Sequence, residues 1–189
     1  MIQAIVFDCF GVLTSDGWLP FKQKYFGDNS ESFEEVSDLN KQAGAGMLSP
    51  REFIGRVAEK AGISPDQAVR EIDASNVNSE LFEYIRMELK PQYKIGMLSN
   101  AGSNQLEKLF TAEQVGLFDE IALSYEMGTV KPEVRAYETI ADRLGVTPQE
   151  IVFIDDQERH CSGARGVGMK TIVYQDLQQM KRELQKILG

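Results

Sequence analysis

Four positions along the chain place acidic, hydroxyl or amine side chains where short apolar runs end. Asp8 follows Ala4-Ile5-Val6-Phe7, Ser99-Asn100 follows Ile95-Gly96-Met97-Leu98, and Asp155-Asp156 follows Ile151-Val152-Phe153-Ile154. Lys131 stands a few residues beyond the run Ile121-Ala122-Leu123. Carboxylates brought to one spot repel, and a hard cation is their natural neutraliser; magnesium takes one or two carboxylates together with substrate phosphate. A lysine and a hydroxyl nearby supply the charge and positioning that a phosphoryl group requires. Asp8 can serve as ligand, as nucleophile, or as both.

These groups meet only if the runs are strands of one sheet. A fifth run, Thr171-Ile172-Val173-Tyr174, completes the set. Apolar runs without polar alternation suit strands buried on both faces of a parallel sheet. Amphipathic stretches between the later runs, Asn104–Phe110 and Glu133–Leu144, read as helices, and the C-terminal stretch repeats apolar residues at Leu177, Met180, Leu184 and Ile187/Leu188. The alternation predicts a doubly wound α/β sheet, in which ligands bind beyond the carboxyl ends of the strands. The first two strands are separated by a helical stretch containing Ser49-Pro50-Arg51-Glu52 and Ser64-Pro65-Asp66-Gln67, both with helix-start spacing. The expected organisation is therefore an α/β core of residues 1–13 and 91–189 with a helical cap, 14–90, folded over the carboxyl edge of the sheet. Thr147-Pro148-Gln149-Glu150 leaves room only for a short turn before the fourth strand.

The chain has 189 residues, a formal charge of −9 and 42% hydrophobic residues. That is enough apolar material for a core at this length. The acidity argues against a nucleic-acid or anionic-membrane binder, both of which want a basic face. No apolar run reaches membrane-spanning length, and the run before Asp8 lacks the basic leader of a secretory signal. Cys9 and Cys161 make no disulfide framework, so a reducing cytoplasm is expected. The expected partner is a small molecule, and the expected state a monomer or homodimer.

Phe7-Asp8-Cys9-Phe10-Gly11-Val12-Leu13 resembles the first motif of the haloacid dehalogenase-like hydrolase superfamily. Leu98-Ser99-Asn100, Val130-Lys131-Pro132 and Phe153-Ile154-Asp155-Asp156 resemble its second, third and fourth, in family order. Gly46-Met47-Leu48-Ser49-Pro50-Arg51-Glu52-Phe53 is similar to the branch holding sugar-1-phosphate phosphatases and the phosphatase half of bifunctional epoxide hydrolases. The resemblance implies a magnesium-dependent phosphatase of a small phosphorylated metabolite. Asp8 would attack phosphorus and form an aspartyl-phosphate. Mg2+ would be held by Asp8, the backbone carbonyl of Phe10 and Asp156, with Asp155 binding directly or through water. Ser99 and the amides beside it, together with Asn100, would bind phosphate oxygens, and Lys131 would offset charge.

Phe10 departs from the family pattern, which usually has an aspartate there to protonate the leaving oxygen and activate water. Positioned acid–base catalysis is worth about 10²–10⁴-fold, roughly 3–5 kcal/mol of barrier. Three readings follow: a substrate with a good leaving group, a metal-independent 2-haloacid dehalogenase, or a slow or non-catalytic phosphometabolite-binding relative. The dehalogenases lack the acidic pair, so Asp155-Asp156 favours magnesium and phosphate. Among the remaining candidates, Cys9 reads as a small packed residue, since a thiol phosphatase would want arginine where Ser15 stands. His160 and Asp16 are spare acids with ordinary structural explanations. Trp18, Phe21, Lys22, Lys24, Arg51 and Arg56 are within the cap's reach of substrate, though each reads individually as packed or solvated. Gly163, Gly166 and Gly168 read as close packing before the last strand.

Overall fold

The computed structural model describes residues 1–73 and 76–189. Five strands form one parallel sheet: β1 (Ala4–Phe7), β2 (Lys94–Ser99), β3 (Glu120–Leu123), β4 (Ile151–Asp155) and β5 (Lys170–Val173), in the order β3-β2-β1-β4-β5. The chain winds outward from β1 through β2 and β3, then returns to place β4 on the other side of β1. The switch between the two directions lies between β1 and β4, where an open α/β sheet forms its ligand crevice.

Alternate residues of the buried strands feed two cores. Ile5, Phe7, Ile95, Met97, Val152 and Ile154 face one side, and Ala4, Val6, Leu98, Ile151 and Phe153 the other. Eleven helices surround and extend this frame among the described residues. The insertion between β1 and β2 supplies α1 (Trp18–Phe26), α2 (Ser30–Gly44), α3 (Pro50–Ala61) and α4 (Pro65–Ile72). These four enclose a separate apolar cluster of residues including Phe21, Val36, Phe53, Val57 and Ala68. At α3, Ser49 Oγ accepts from the Glu52 amide while Glu52 accepts from the Ser49 amide, the reciprocal cap its sequence announces.

The next segment, α5 (Ser79–Tyr84) continuing as a π-helical turn Ile85–Leu89, packs differently. Leu81, Phe82, Ile85 and Leu89 join the sheet's own cluster beside Phe7 and Met97. Residues 79–89 thus pack with the core although the sequence pattern assigns 14–90 to the insertion. Helical periodicity alone does not say which apolar surface a helix covers.

The expected helix Asn104–Phe110 is also corrected. Only one turn of it is helical, α6 (Leu106–Leu109), and a separate turn, α7 (Ala112–Val115), follows beyond it. Asn104 Oδ1 accepts from the Leu106 amide, and Thr111 opens a new cap with Gln114, so local side-chain bonds compete with a continuous helix. After β3 come α8 (Ser124–Met127), α9 (Val134–Leu144) and a 3₁₀ turn at Pro148–Glu150; α10 (Glu158–Gly166) and α11 (Leu177–Leu188) flank β5. A Cβ on Gly163 would lie 2.8 Å from Pro132, which explains that glycine by close approach, whereas Gly166 has open space. No helix among the described residues is long and apolar enough to cross a membrane.

Candidate active site

The register of β1 against β4 pairs Phe7 with Ile154, and the Asp8 amide donates to the Ile154 carbonyl at 2.8 Å. Continuing by one residue places Asp8 beside Asp155. Lys131 Nζ lies between them, 2.7 Å from Asp8 Oδ1 and 2.7 Å from Asp155 Oδ2, with all three residues buried. The lysine loop is clamped from β2: Lys131 N donates to Asn100 Oδ1 at 2.8 Å, and Asn100 Nδ2 donates to the Lys131 carbonyl at 3.0 Å. Asn100 lines the cleft, but its amide group is spent on positioning Lys131.

Asp8 uses one oxygen for anchoring. Oδ1 accepts from the Cys9 amide at 2.6 Å and meets Lys131, while Oδ2 has no hydrogen-bond partner among the described residues. Asp155 is saturated. Its oxygens take the Gln157 amide at 2.8 Å, Lys131 at 2.7 Å and His160 Nδ1 at 3.0 Å. Asp156, in contrast, has a buried Oδ1 with no partner. Its carboxylate sits over Gly11, whose φ is +88° and whose imagined Cβ would fall 2.5 Å from Asp156 Cγ. Only glycine fits there, because both the backbone conformation and the space exclude a side chain.

The electrostatics follow from this crowding. Burial raises the Asp8 carboxyl well above its ordinary range, the Asp155 charge adds to the rise, and Lys131 offsets part of it. Burial also opposes ionisation of Asp155, but Lys131 and His160 outweigh it and hold that group below the usual carboxylate range. Asp156 is pushed up to about 6 by burial, then by Asp155 and Asp16. Burial lowers His160 despite its bond to Asp155, so the imidazole is neutral near pH 7. Three carboxylates therefore share one buried ammonium, leaving two negative charges in excess when all are ionised. A divalent cation bound by oxygen matches that deficit, and the orphaned Asp156 oxygen gives it a ligand. Asp8, Asp155 and His160 also present atoms within 4.8 Å of one another. Lys131 already bridges the two carboxylates of that group, which thus holds an ammonium rather than a metal.

Ser99 ends β2 with its hydroxyl buried and unpartnered. It lines a small side void with Cys9 and Phe10, not the main cleft. The adjoining Ala101 amide donates to Ser124 Oγ at 3.0 Å, so that donor is committed. Burial and the Asp8 charge push the Cys9 thiol up, consistent with a packed, protonated side chain. His160 is the contributor that the sequence left as solvated or packed. The signal was its position, five residues after Asp155, where the first turn of α10 returns a side chain over the end of β4.

A cleft of about 1080 Å³ opens between the insertion and the sheet edge. Asp8, Phe10, Asn100 and Lys131 form its sheet side, and Trp18, Lys22 and Arg51 belong to its insertion side.

Fold and site together define a hydrolase of the doubly wound, inserted-helix type. The profile of the haloacid dehalogenase-like hydrolases matches residues 2–168, and the chain belongs to that family. It is 27% identical over 165 residues to a glyceraldehyde 3-phosphate phosphatase of Methanopyrus kandleri, covering 78% of this chain and 70% of that protein. A stretch of 72 residues is 39% identical to bifunctional epoxide hydrolase 2 of Rattus norvegicus, covering 38% of this chain but 13% of that protein. Among solved structures, a family enzyme of Bacteroides thetaiotaomicron in complex with magnesium and inorganic phosphate superposes with a TM-score of 0.73 at 24% identity, covering 95% of this chain and 99% of that one.

Proposed function

We propose that this hydrolase is a magnesium-dependent phosphatase of small phosphorylated metabolites, acting through an aspartyl-phosphate on Asp8. The observation that carries the reading is the asymmetry of Asp8. One carboxylate oxygen is fixed by Lys131 and the Cys9 amide, and the other is free beside a cleft large enough for a metabolite. Attack by Oδ2 on phosphorus forms the acyl phosphate as the bond to the leaving oxygen breaks; water then cleaves the acyl phosphate and regenerates the carboxylate. Magnesium would be held by Asp8, Asp156 and the Phe10 carbonyl, and when bound would neutralise charge on the phosphoryl oxygens. Asp155 serves Lys131 rather than the metal, because its lone pairs are already engaged. Lys131 offsets part of the burial that opposes ionisation of Asp8 and faces the same charge. The Ser99 hydroxyl, buried and unpartnered in the void beside Cys9, is the donor assigned to a phosphate oxygen. The insertion acts as the cap that excludes water and selects substrate.

Phe10 offers no proton, so leaving groups that depart without protonation are favoured. The decisive experiment is p-nitrophenyl phosphate hydrolysis with and without magnesium, beside Asp8→Asn. Magnesium-dependent release that disappears in the folded variant is expected. Chloride release from a 2-chloroacid that survives EDTA, with no phosphate release, would replace this reading by dehalogenation, for which the Phe10 side chain at the cleft is the favouring feature. Tight phosphate binding with no turnover would make the chain a binding relative.

A further inference from the structure

The cleft holds cations that the phosphatase chemistry does not use. Lys22, on α1 of the insertion, and Arg159, at the start of α10 on the core, line the same cavity as Asp8. Neither has a carboxylate within ion-pair distance among the described residues. Lys22 Nζ instead donates to Ser37 Oγ at 3.2 Å and lies 3.9 Å from the centre of the Phe33 ring. Arg159 Nε donates to Gln157 Oε1 at 2.9 Å, which leaves the terminal nitrogens of its guanidinium uncommitted. The two charges are close enough to disfavour each other: the Lys22 ammonium is lowered by partial burial and then by Arg159, against weaker support from Glu34 and Asp16. Two cations that line one cavity, one carried by the insertion and the other by the core, with neither paired to a carboxylate, suit an anion that arrives with the substrate.

We infer that Lys22 and Arg159 form a subsite for a second anionic group, so that the substrate class is a phosphorylated metabolite carrying a carboxylate or a second phosphoryl group. The inference rests on the phosphatase reading for the placement of the first phosphoryl group at Asp8. Because one cation belongs to the insertion and the other to the core, a bound anion would also draw the two parts together. The subsite thereby selects substrate and favours the closed cleft in one contact.

Matched ligand pairs test this. sn-Glycerol 3-phosphate and 3-phosphoglycerate differ by a carboxylate; fructose 6-phosphate and fructose 1,6-bisphosphate differ by a phosphoryl group. Calorimetric binding to Asp8→Asn with magnesium present reads affinity without turnover. At least one pair is expected to favour the member with two anionic groups by about tenfold, the scale of one charge-assisted hydrogen bond, and the pair that does so identifies the anion. Adding Lys22→Met or Arg159→Gln should collapse that preference to about twofold or less, and raising salt should reduce it. Lys186→Gln, a charge change on α11 outside the cleft, should leave it intact. No preference in either pair, no binding of any ligand, or a preference that survives both substitutions would overturn the subsite. Failure of the wild-type chain to hydrolyse p-nitrophenyl phosphate would instead sink the phosphatase reading, and the calorimetric ratio would still report on the anion site.

Discussion

Asp156 and Phe10 are the residues whose local chemistry makes the sharpest demands. Asp156 is pushed up to about 6 from an ordinary 3.8. Between those values the folded chain keeps a proton that the unfolded chain has released, so this group's contribution to stability falls as pH rises through the window and stays unfavourable above it. Asp156→Asn in the presence of a chelator should therefore be more stable than the parent at pH 7.5, by about 1–2 kcal/mol once solvent screening of a half-buried carboxylate is allowed for. The advantage should fade toward pH 4, and magnesium should raise the melting temperature of the parent only. Thermal melts across pH with EDTA or magnesium decide it, and a variant less stable than the parent at pH 7.5 in EDTA contradicts the charge argument. At Phe10, half-buried at the cleft, the prediction concerns leaving groups. Phe10→Asp should improve alkyl phosphate hydrolysis relative to p-nitrophenyl phosphate by up to about 10²-fold, because only the alkoxide needs a proton as it departs. An unchanged ratio between the two substrates would show that protonation is not what the parent lacks.

At the scale of the element, the loop after β1 carries the nucleophile and frames Asp156. Gly11→Ala would place a methyl 2.5 Å from the Asp156 carboxylate at a φ of +88°. The carboxylate must move, so magnesium affinity should fall about 10- to 100-fold, the range for disturbed support of a metal ligand, with about 1–2 kcal/mol of backbone strain added. Titration calorimetry with magnesium and thermal melts measure the two effects separately, and unchanged affinity would remove Asp156 from the metal's surroundings. This loop also shows what was legible in the sequence. Asp8 and Asp155 were readable because each stands at the end of a short apolar run and the parallel register sets them side by side, whereas Lys131, in the loop beyond β3 and α8, was readable from its motif. His160 and the Asn100 clamp were less so, since both depend on where a helix turn or a loop returns in space. The break between α6 and α7 depended on Asn104 and Thr111 side chains bonding nearby amides, a competition that hydrophobic spacing does not record. Residues 79–89 looked like their helical neighbours, and only packing distinguishes a helix on the sheet from one in the insertion.

At the scale of the whole molecule, the chain consists of a sheet core and a helical insertion with its own apolar cluster, joined by a narrow neck. There, Ser15 N donates to the Asn76 carbonyl at 3.0 Å, Asn78 N to the Leu13 carbonyl at 2.9 Å, and Thr14 pairs with Val77. Away from the neck, Ser124 Oγ donates to the Gly44 carbonyl at 2.5 Å and ties the end of α2 to the core. Separate clusters joined by few bonds imply separate local stabilities. Val57, fully buried on α3, lies in the insertion's cluster and in neither sheet cluster. Val57→Ala should therefore loosen the insertion by about 1–3 kcal/mol through lost burial and the cavity left behind. Amide hydrogen exchange should accelerate in α2 to α4, while β1 and β4 keep their protection. KM for a small phosphoester should rise more than kcat falls, because Asp8, Lys131 and Asp155 belong to the untouched core and only the wall that holds the substrate has softened. Equal acceleration in the sheet would mean that the two clusters unfold as one unit. Substrate selection would then be inseparable from global stability, rather than a property the insertion tunes on its own.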